Sequence, residues 1–262
     1  MSATPLNPVP ADVHPFRAGG NPGMSAHEIM TRGLMDAATA SVLLADVSEF
    51  QPNVVDAAYL KWSKAIVIRA LYGDAHDDAA WYGGQRRALL HSGGAQFVGI
   101  YQYLVAGQSG KVQAQAFKAL VGDLQPGEVF IADFEEGANK TVLTDWYNEM
   151  LALYGAAIHP YLWAYTGLYF GEATGALPVE WIADYTNAEP TTPHKLWQFT
   201  DSYNVPGVGV ADCSLFHGTI AQLAALAHAT PTHPPVATYN APVGIHLINA
   251  GHTSVNIAWG DN

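Results

Sequence analysis

The sequence predicts an α/β fold: an irregular, TIM-like β/α barrel of eight strands with short connections in its second half. Three observations predict it. Apolar runs of strand length recur eight times between residues 41 and 216. Helical patterns fill the early gaps between them, which is the signature of parallel βα units. The later gaps, 187–195 and 202–209, leave little room for a crossover helix, so antiparallel pairs are expected there. Eight such units suggest a closed barrel.

The strands are read at SVLLADVS (41–48), AIVIRALYG (65–73), FVGIYQYLV (97–105) and VFIADFEE (129–136). HPYLWAYT (159–166), VEWIADYT (179–186), LWQFTD (196–201) and VADCSLF (210–216) complete the set. Helices are expected over 77–93, 111–124 and 141–155, the last ended by Gly155 at a C-cap position. A closing helix is expected over 219–228. Before the barrel, residues 1–43 read as a Pro-, Ala- and Gly-rich leader, with a short helix over 25–40 whose Ser25 and Glu28 are spaced like a capping box. The barrel itself is assigned to 44–228, a linker to 229–242 and a short β segment to 243–262.

Composition narrows the function. Lys and Arg total 11 against 23 Asp and Glu, a net charge of -12, so no nucleic-acid partner is expected. No apolar run reaches membrane-span length, so no membrane partner is expected either. Residues 1–23 lack the basic start and apolar stretch of a Sec signal peptide. With Cys213 as the single cysteine, an internal disulfide is excluded. The histidines are scattered without an HExxH, so no metal and no cofactor are expected. The Gly107–Lys111 stretch is an incomplete phosphate loop, and Gly207-Val208-Gly209 lacks the third glycine of a dinucleotide fingerprint.

Acids gather at strand ends. Asp46 is on the first strand, Asp133 and Glu135 on the fourth, Asp184 on the sixth and Asp212 on the eighth. Strand alternation sends Asp133 and Glu135 to one face and Glu136 to the other. A lone strand-end Asp is commonly a turn former. Several converging on the C-terminal mouth of a barrel point to an active site. Aromatic residues alternate as well: Tyr101 and Tyr103, then Tyr161, Trp163 and Tyr165, then Trp181 and Tyr185. Such rings pack cores, and they also offer flat platforms for sugar rings. Cys213 neighbours Asp212 on the opposite face and reads as a buried apolar residue.

These residues resemble a family. Asp46-Val47-Ser48-Glu49-Phe50-Gln51 is similar to the DVSxxQ opening of the family 25 glycoside hydrolases, the Chalaropsis-type lysozymes. Asp133-Phe134-Glu135 matches their DxE strand, and Trp181–Tyr185 resembles their WxAxY strand. Leu196–Thr200 resembles their LWQYT strand, and Val205-Pro206-Gly207 with Asp212 resembles their closing segment. Three positions depart from the family: Gln102 stands where it has His, Phe199 where it has Tyr, and Ser214 where it has Asn. The tail VGIHLINAG…TSVNIAWGD weakly resembles the start of a fibronectin type III module, with Trp259 in the place of its core tryptophan.

The resemblance implies hydrolysis of the β-1,4 bond between N-acetylmuramic acid and N-acetylglucosamine in bacterial peptidoglycan, with many relatives being phage lysins. Glu135 is the expected general acid, with Asp133, Asp46 and Asp212 supporting it as negative neighbours that raise its pKa. The resemblance implies retention of configuration, with the substrate's N-acetyl group as internal nucleophile. The two-carboxylate route stays open, because sequence does not give the carboxyl separation. Tyr101, Tyr103, Trp163, Tyr165, Asp184 and Gln198 are the expected substrate-binding residues. The protein is expected to act at the bacterial wall, delivered by lysis machinery or carried on a virion. The leader or C-terminal segment then offers a contact to other phage tail proteins. Two competing readings are a non-catalytic glycan-binding or tail module on the same barrel, and a glycosidase for another N-acetylated glycan.

Overall fold

The computed structural model describes residues 40–51, 56–77, 86–135, 140–167, 179–185 and 188–229. The leader, its expected helix, nearly all of the linker and the short β segment lie outside the described residues, as does Glu136. Among the described residues nine strands form one sheet. They are β1 (Ser41–Val47), β2 (Ala65–Tyr72), β3 (His76–Asp77), β4 (Phe97–Tyr103) and β5 (Glu128–Asp133). The chain continues through β6 (Leu162–Gly167), β7 (Val179–Ala183), β8 (Leu196–Val205) and β9 (Gly209–His217). Eight of them close a barrel, because β1 pairs with both β2 and β9; β3 only adds a short antiparallel rung to β2.

Every neighbouring pair from β1 through β8 around the barrel wall is parallel. Strand β9 runs antiparallel between β8 and β1. The reason is the short second-half connection read from the sequence. The turn at Pro206–Val208 joins β8 to β9 as a hairpin, and Val208 N–H donates to the Val205 carbonyl at 3.1 Å. Gly207 and Gly209 take φ of 80° and 100°, a region where L side chains are strained. Both strands extend into the stretch expected to be a gap.

The helices cover the outside: α1 (Asp56–Trp62), α2 (Arg86–Ser92), α3 (Gly110–Val121), α4 (Lys140–Tyr154) and α5 (Ile220–Ala224). On α4, Val142, Leu143, Trp146, Tyr147 and Met150 form one buried stripe, and Gly155 follows with φ of 84°. On α3, Phe117 meets Phe130 of β5 edge-on at 5.2 Å. Helix α5 opens with a capping box between Thr219 and Gln222 and is shorter than the 219–228 expected. Helix α1 has no counterpart among the expected helices; seven residues give too little periodicity to read. Before β6, residues Ala156–Tyr161 form a 3₁₀ turn, so Tyr161 precedes the strand expected to carry it.

Parallel strands are buried on both faces, and the two faces sort cleanly. Ala45, Val47, Ile66, Ile68, Phe130, Ala132 and Phe134 join the cluster that packs on the helices. Leu44, Val67, Tyr101, Ile131, Trp163, Tyr165 and Trp181 fill the barrel interior. Gly99 makes this filling possible, since a Cβ there would lie 2.8 Å from Ile131 and 2.9 Å from Val67. The apolar filling stops near the C-terminal strand ends, where the inward positions turn acidic.

Candidate active site

Strand pairing builds the site. Asp46 on β1 and Asp212 on β9 stand directly opposite each other in the antiparallel ladder, and their carboxyls share a hydrogen bond. Gln198, in the interior of β8, donates from Nε2 to Asp46 Oδ2 at 2.9 Å. Its Oε1 accepts from Tyr165 Oη at 2.8 Å and from Tyr185 Oη at 2.7 Å. One amide thereby ties β1, β6, β8 and the end of β7 together.

Asp133 ends β5, in register with Tyr103 of β4 and Tyr165 of β6. The ladder runs past it: Phe134 N–H donates to the Tyr165 carbonyl at 2.9 Å. That continuation brings Glu135 to the same mouth as Asp133. Asp133 and Glu135 are each 6% exposed and Asp46 is 7%, so three acids are nearly dry. Burial alone disfavours a carboxylate, and neighbouring carboxylates disfavour it further. Burial pushes Asp46 up to about 6, against the pull of hydrogen bonds from Gln198 and Asp212. Asp212 is raised well above the usual range by burial and then by Asp46. Asp133 is likewise raised by burial, then by the charges of Glu135 and Asp46. Such a cluster keeps protons at near-neutral pH and places donors beside acceptors. Asp133 Oδ1 is a buried acceptor to which no donor among the described residues is hydrogen-bonded.

The expected residues separate into groups. Glu135, Asp133, Asp46, Asp212, Gln198, Tyr103 and Tyr165 meet at the mouth, and Tyr101 faces the interior one step deeper on β4. Trp163, in register with Tyr101 through Ile131, stands near the start of β6, tilted on Phe97 with Lys195 Nζ 4.9 Å from its ring. Asp184 follows Ala183 at the end of β7, its backbone held by Gln198 and by Trp197 Nε1 at 2.7 Å. Cys213 is fully buried beside Trp197 and Phe199, and burial pushes its thiol up.

The three departures lie apart. Gln102 faces the helices, donating to the Gly73 and Gln113 carbonyls and accepting from Trp146 Nε1 at 2.6 Å. Phe199 packs edge-on to Trp197 at 5.8 Å, outside the mouth. Ser214 is interior and accepts from Trp181 Nε1 at 2.9 Å.

Sequence reading missed Arg69, which sits on β2 with its side chain 6% exposed and Nη2 3.0 Å from Glu49 Oε1. Its signal was there: one guanidinium inside the apolar run AIVIRALY is a buried charge that needs a reason. Tyr185 was noted among the aromatics, but its bond to Gln198 needed the fold.

Comparison with known proteins agrees with this fold. The family model described as glycosyl hydrolases family 25 matches residues 45–208. No curated protein matches. Among solved structures, the bacterial lysozyme from Streptomyces coelicolor is similar at 24% identity with a TM-score of 0.61, covering 72% of this chain and 97% of its own. The catalytic domain of endolysin ply40 from bacteriophage P40 of Listeria monocytogenes shares 17% identity at a TM-score of 0.55, covering 71% of this chain and 98% of its own. The modular autolysin LytC of Streptococcus pneumoniae, solved with a synthetic peptidoglycan ligand, shares 19% identity at 0.53, covering 68% of this chain and 47% of its own. At these identities the likeness shows the fold. The family match, spanning more than half the chain and including Asp46, Asp133, Glu135 and Gln198, shows that this chain is a glycoside hydrolase and belongs to family 25.

Proposed function

We propose that the protein is a peptidoglycan muramidase, cutting the β-1,4 bond between N-acetylmuramic acid and N-acetylglucosamine, with Glu135 as general acid. The observation that carries this is the pairing of Asp133 and Glu135 at one buried mouth, beside the hydrogen-bonded Asp46 and Asp212.

The chemistry follows the retaining, substrate-assisted course. The carbonyl oxygen of the substrate's N-acetyl group bonds to the anomeric carbon as the glycosidic C–O bond breaks. Glu135 gives its proton to the departing sugar oxygen. The positive charge that develops on the acetamido group is stabilised by Asp133, whose unsatisfied Oδ1 suits its N–H. Glu135, now a carboxylate, takes a proton from the water that opens the cyclic intermediate, and configuration is retained. Asp46 and Asp212 hold sugar hydroxyls and the network behind Asp133. Gln198 and the neutral hydroxyls of Tyr165 and Tyr185 keep that network in place, since burial raises both phenols. Tyr101 and Tyr103 supply ring surface, and Trp163 and Asp184 are assigned support at the floor and at the β7 rim. We read the protein as phage-encoded, acting on the wall from a lysis system or a virion, with the likeness to the Listeria phage endolysin domain as support.

The test is release of reducing muramic acid ends from purified peptidoglycan, with chitin in parallel. Cleavage of peptidoglycan that Glu135→Gln abolishes is the expected result. Cleavage of chitin alone, or of neither polymer, would overturn the reading.

A further inference from the structure

Phe50 is 51% exposed, the most exposed Phe, Tyr or Trp among the described residues; the other exposed large apolar side chains there are Leu and Val. Single aliphatic side chains are ordinary on a surface, whereas a large ring kept in water at the rim of a cleft marks a contact to be made. The ring is not loosely held. Gln51 N–H donates to the Ser48 carbonyl at 3.0 Å, and Ser48 N–H donates to Gln51 Oε1 at 2.9 Å. Phe50 sits inside the turn these bonds close, directly after β1, at the end of the barrel where the acids gather.

Arg69 links this turn to the cleft. Val47 pairs with Ile68, so the turn stands beside Arg69. Arg69 follows the interior Val67 by two and pairs with the interior Tyr101, which puts it on the mouth face of β2. The register then slips between Arg69 and Leu71, and Tyr72 pairs with Tyr103. That irregularity brings Arg69 and Tyr72, three positions apart, to one face, where plain alternation would part them. The guanidinium carbon lies 5.5 Å from the Phe50 ring centre and 5.9 Å from that of Tyr72, and Nη2 donates to Glu49 Oε1 at 3.0 Å. Tyr72 stacks on Tyr103 at 4.7 Å and 6°, and Tyr103 pairs with Asp133. Flat groups thus run from Phe50 at the rim to Asp133.

We propose that Phe50 and the half-buried Tyr72, braced by Arg69, form a platform for one N-acetylhexosamine ring of the glycan, beside the ring held at Asp133. The occupant follows from continuity: the platform adjoins the acids, and the apolar C–H face of a sugar suits an exposed ring already fixed in place. The glycan as substrate rests on the muramidase reading; the platform is measured by binding, without turnover. The Arg69 side chain, 6% exposed, and Glu49 position the rings and touch no sugar.

The experiment is calorimetric titration of the full chain carrying Glu135→Gln with a soluble tetrasaccharide of alternating N-acetylglucosamine and N-acetylmuramic acid. Adding Phe50→Leu keeps an apolar cover over Arg69 and removes the flat face. It should weaken binding by roughly three- to tenfold. Phe50→Trp should restore it. In the otherwise parental chain, Phe50→Leu should raise KM on peptidoglycan and leave kcat and thermal unfolding unmoved, a split that a merely structural cover would not give. Phe50→Leu binding with parental affinity overturns the proposal. If Phe50→Leu does not fold, the Phe50 ring protons, assigned by their loss in Phe50→Trp, are followed by NMR instead; signals unmoved by the tetrasaccharide overturn it. A chain that binds through Phe50 but never cleaves peptidoglycan supports the platform and defeats only the muramidase reading. A chain that cleaves peptidoglycan with KM indifferent to Phe50→Leu defeats only the platform.

Discussion

Glu135→Gln keeps the size of the side chain and removes its proton. Peptidoglycan cleavage should fall by about 10²–10⁴-fold while circular dichroism stays unchanged. Asp133→Asn should also be severe under the substrate-assisted course, because an amide cannot steady a positive acetamido group. If Asp133→Asn cleaves at the parental rate, the internal-nucleophile scheme is wrong. The acids were legible in the sequence one by one, through strand-end position and the i, i+2 spacing of Asp133 and Glu135. The hydrogen bond between Asp46 and Asp212 was not. It depends on β9 running backwards beside β1 so that residues 166 positions apart meet in register. Gln198 was legible only through resemblance, since nothing local tells an inward glutamine from a surface one.

At the scale of elements, the ties around the barrel can be tested at Glu128. This carboxylate opens β5 with no exposed side-chain surface and is held by Arg87 of α2, with Nε 2.6 Å from Oε1. His91 Nε2 lies 2.8 Å from the same oxygen, and Gln125 N–H donates to Oε2 at 2.7 Å. Arg87 also binds the Val121 carbonyl at the end of α3. Arg87→Met would leave a buried charge without its main partner. Denaturant unfolding should show a loss of about 3–5 kcal/mol. A loss under 1 kcal/mol would mean that His91 and the backbone suffice. Periodicity announced the long elements α3 and α4, as well as all eight barrel strands. It missed α1 and misplaced the start of β6, because a seven-residue helix and a 3₁₀ turn carry no clear period.

For the whole molecule, the clustered acids set a stability profile. Asp46 rises from its ordinary 3.8 to about 6 on folding, and Asp133 and Asp212 rise as well. A raised carboxyl stabilises the fold below its unfolded pKa, and that contribution is lost as pH climbs through the folded one. Glu128 works in reverse: its pKa is lowered from 4.5, so its contribution is lost as pH falls through its folded value. The Tm should therefore be highest in mild acid, near pH 5, and decline toward pH 8. Asp212→Asn should raise the Tm at pH 8 and flatten the decline; a lower Tm there would mean that the hydrogen bond outweighs the repulsion. A chain cut to residues 40–230 should fold cooperatively, since β1 begins at Ser41 and His228 N–H still pairs with the Glu128 carbonyl at 2.9 Å. Aggregation of that piece would assign the flanking segments a structural role. The sequence by itself determined the class of fold, the strands and the acids that end them, because periodicity and residue chemistry are local. Only the tertiary structure decided which acids touch, that Gln198 reaches Asp46, that Arg69 is buried against Glu49, and that Gln102 turns to the helices. Those facts depend on barrel closure and register, which are set by pairings between distant strands.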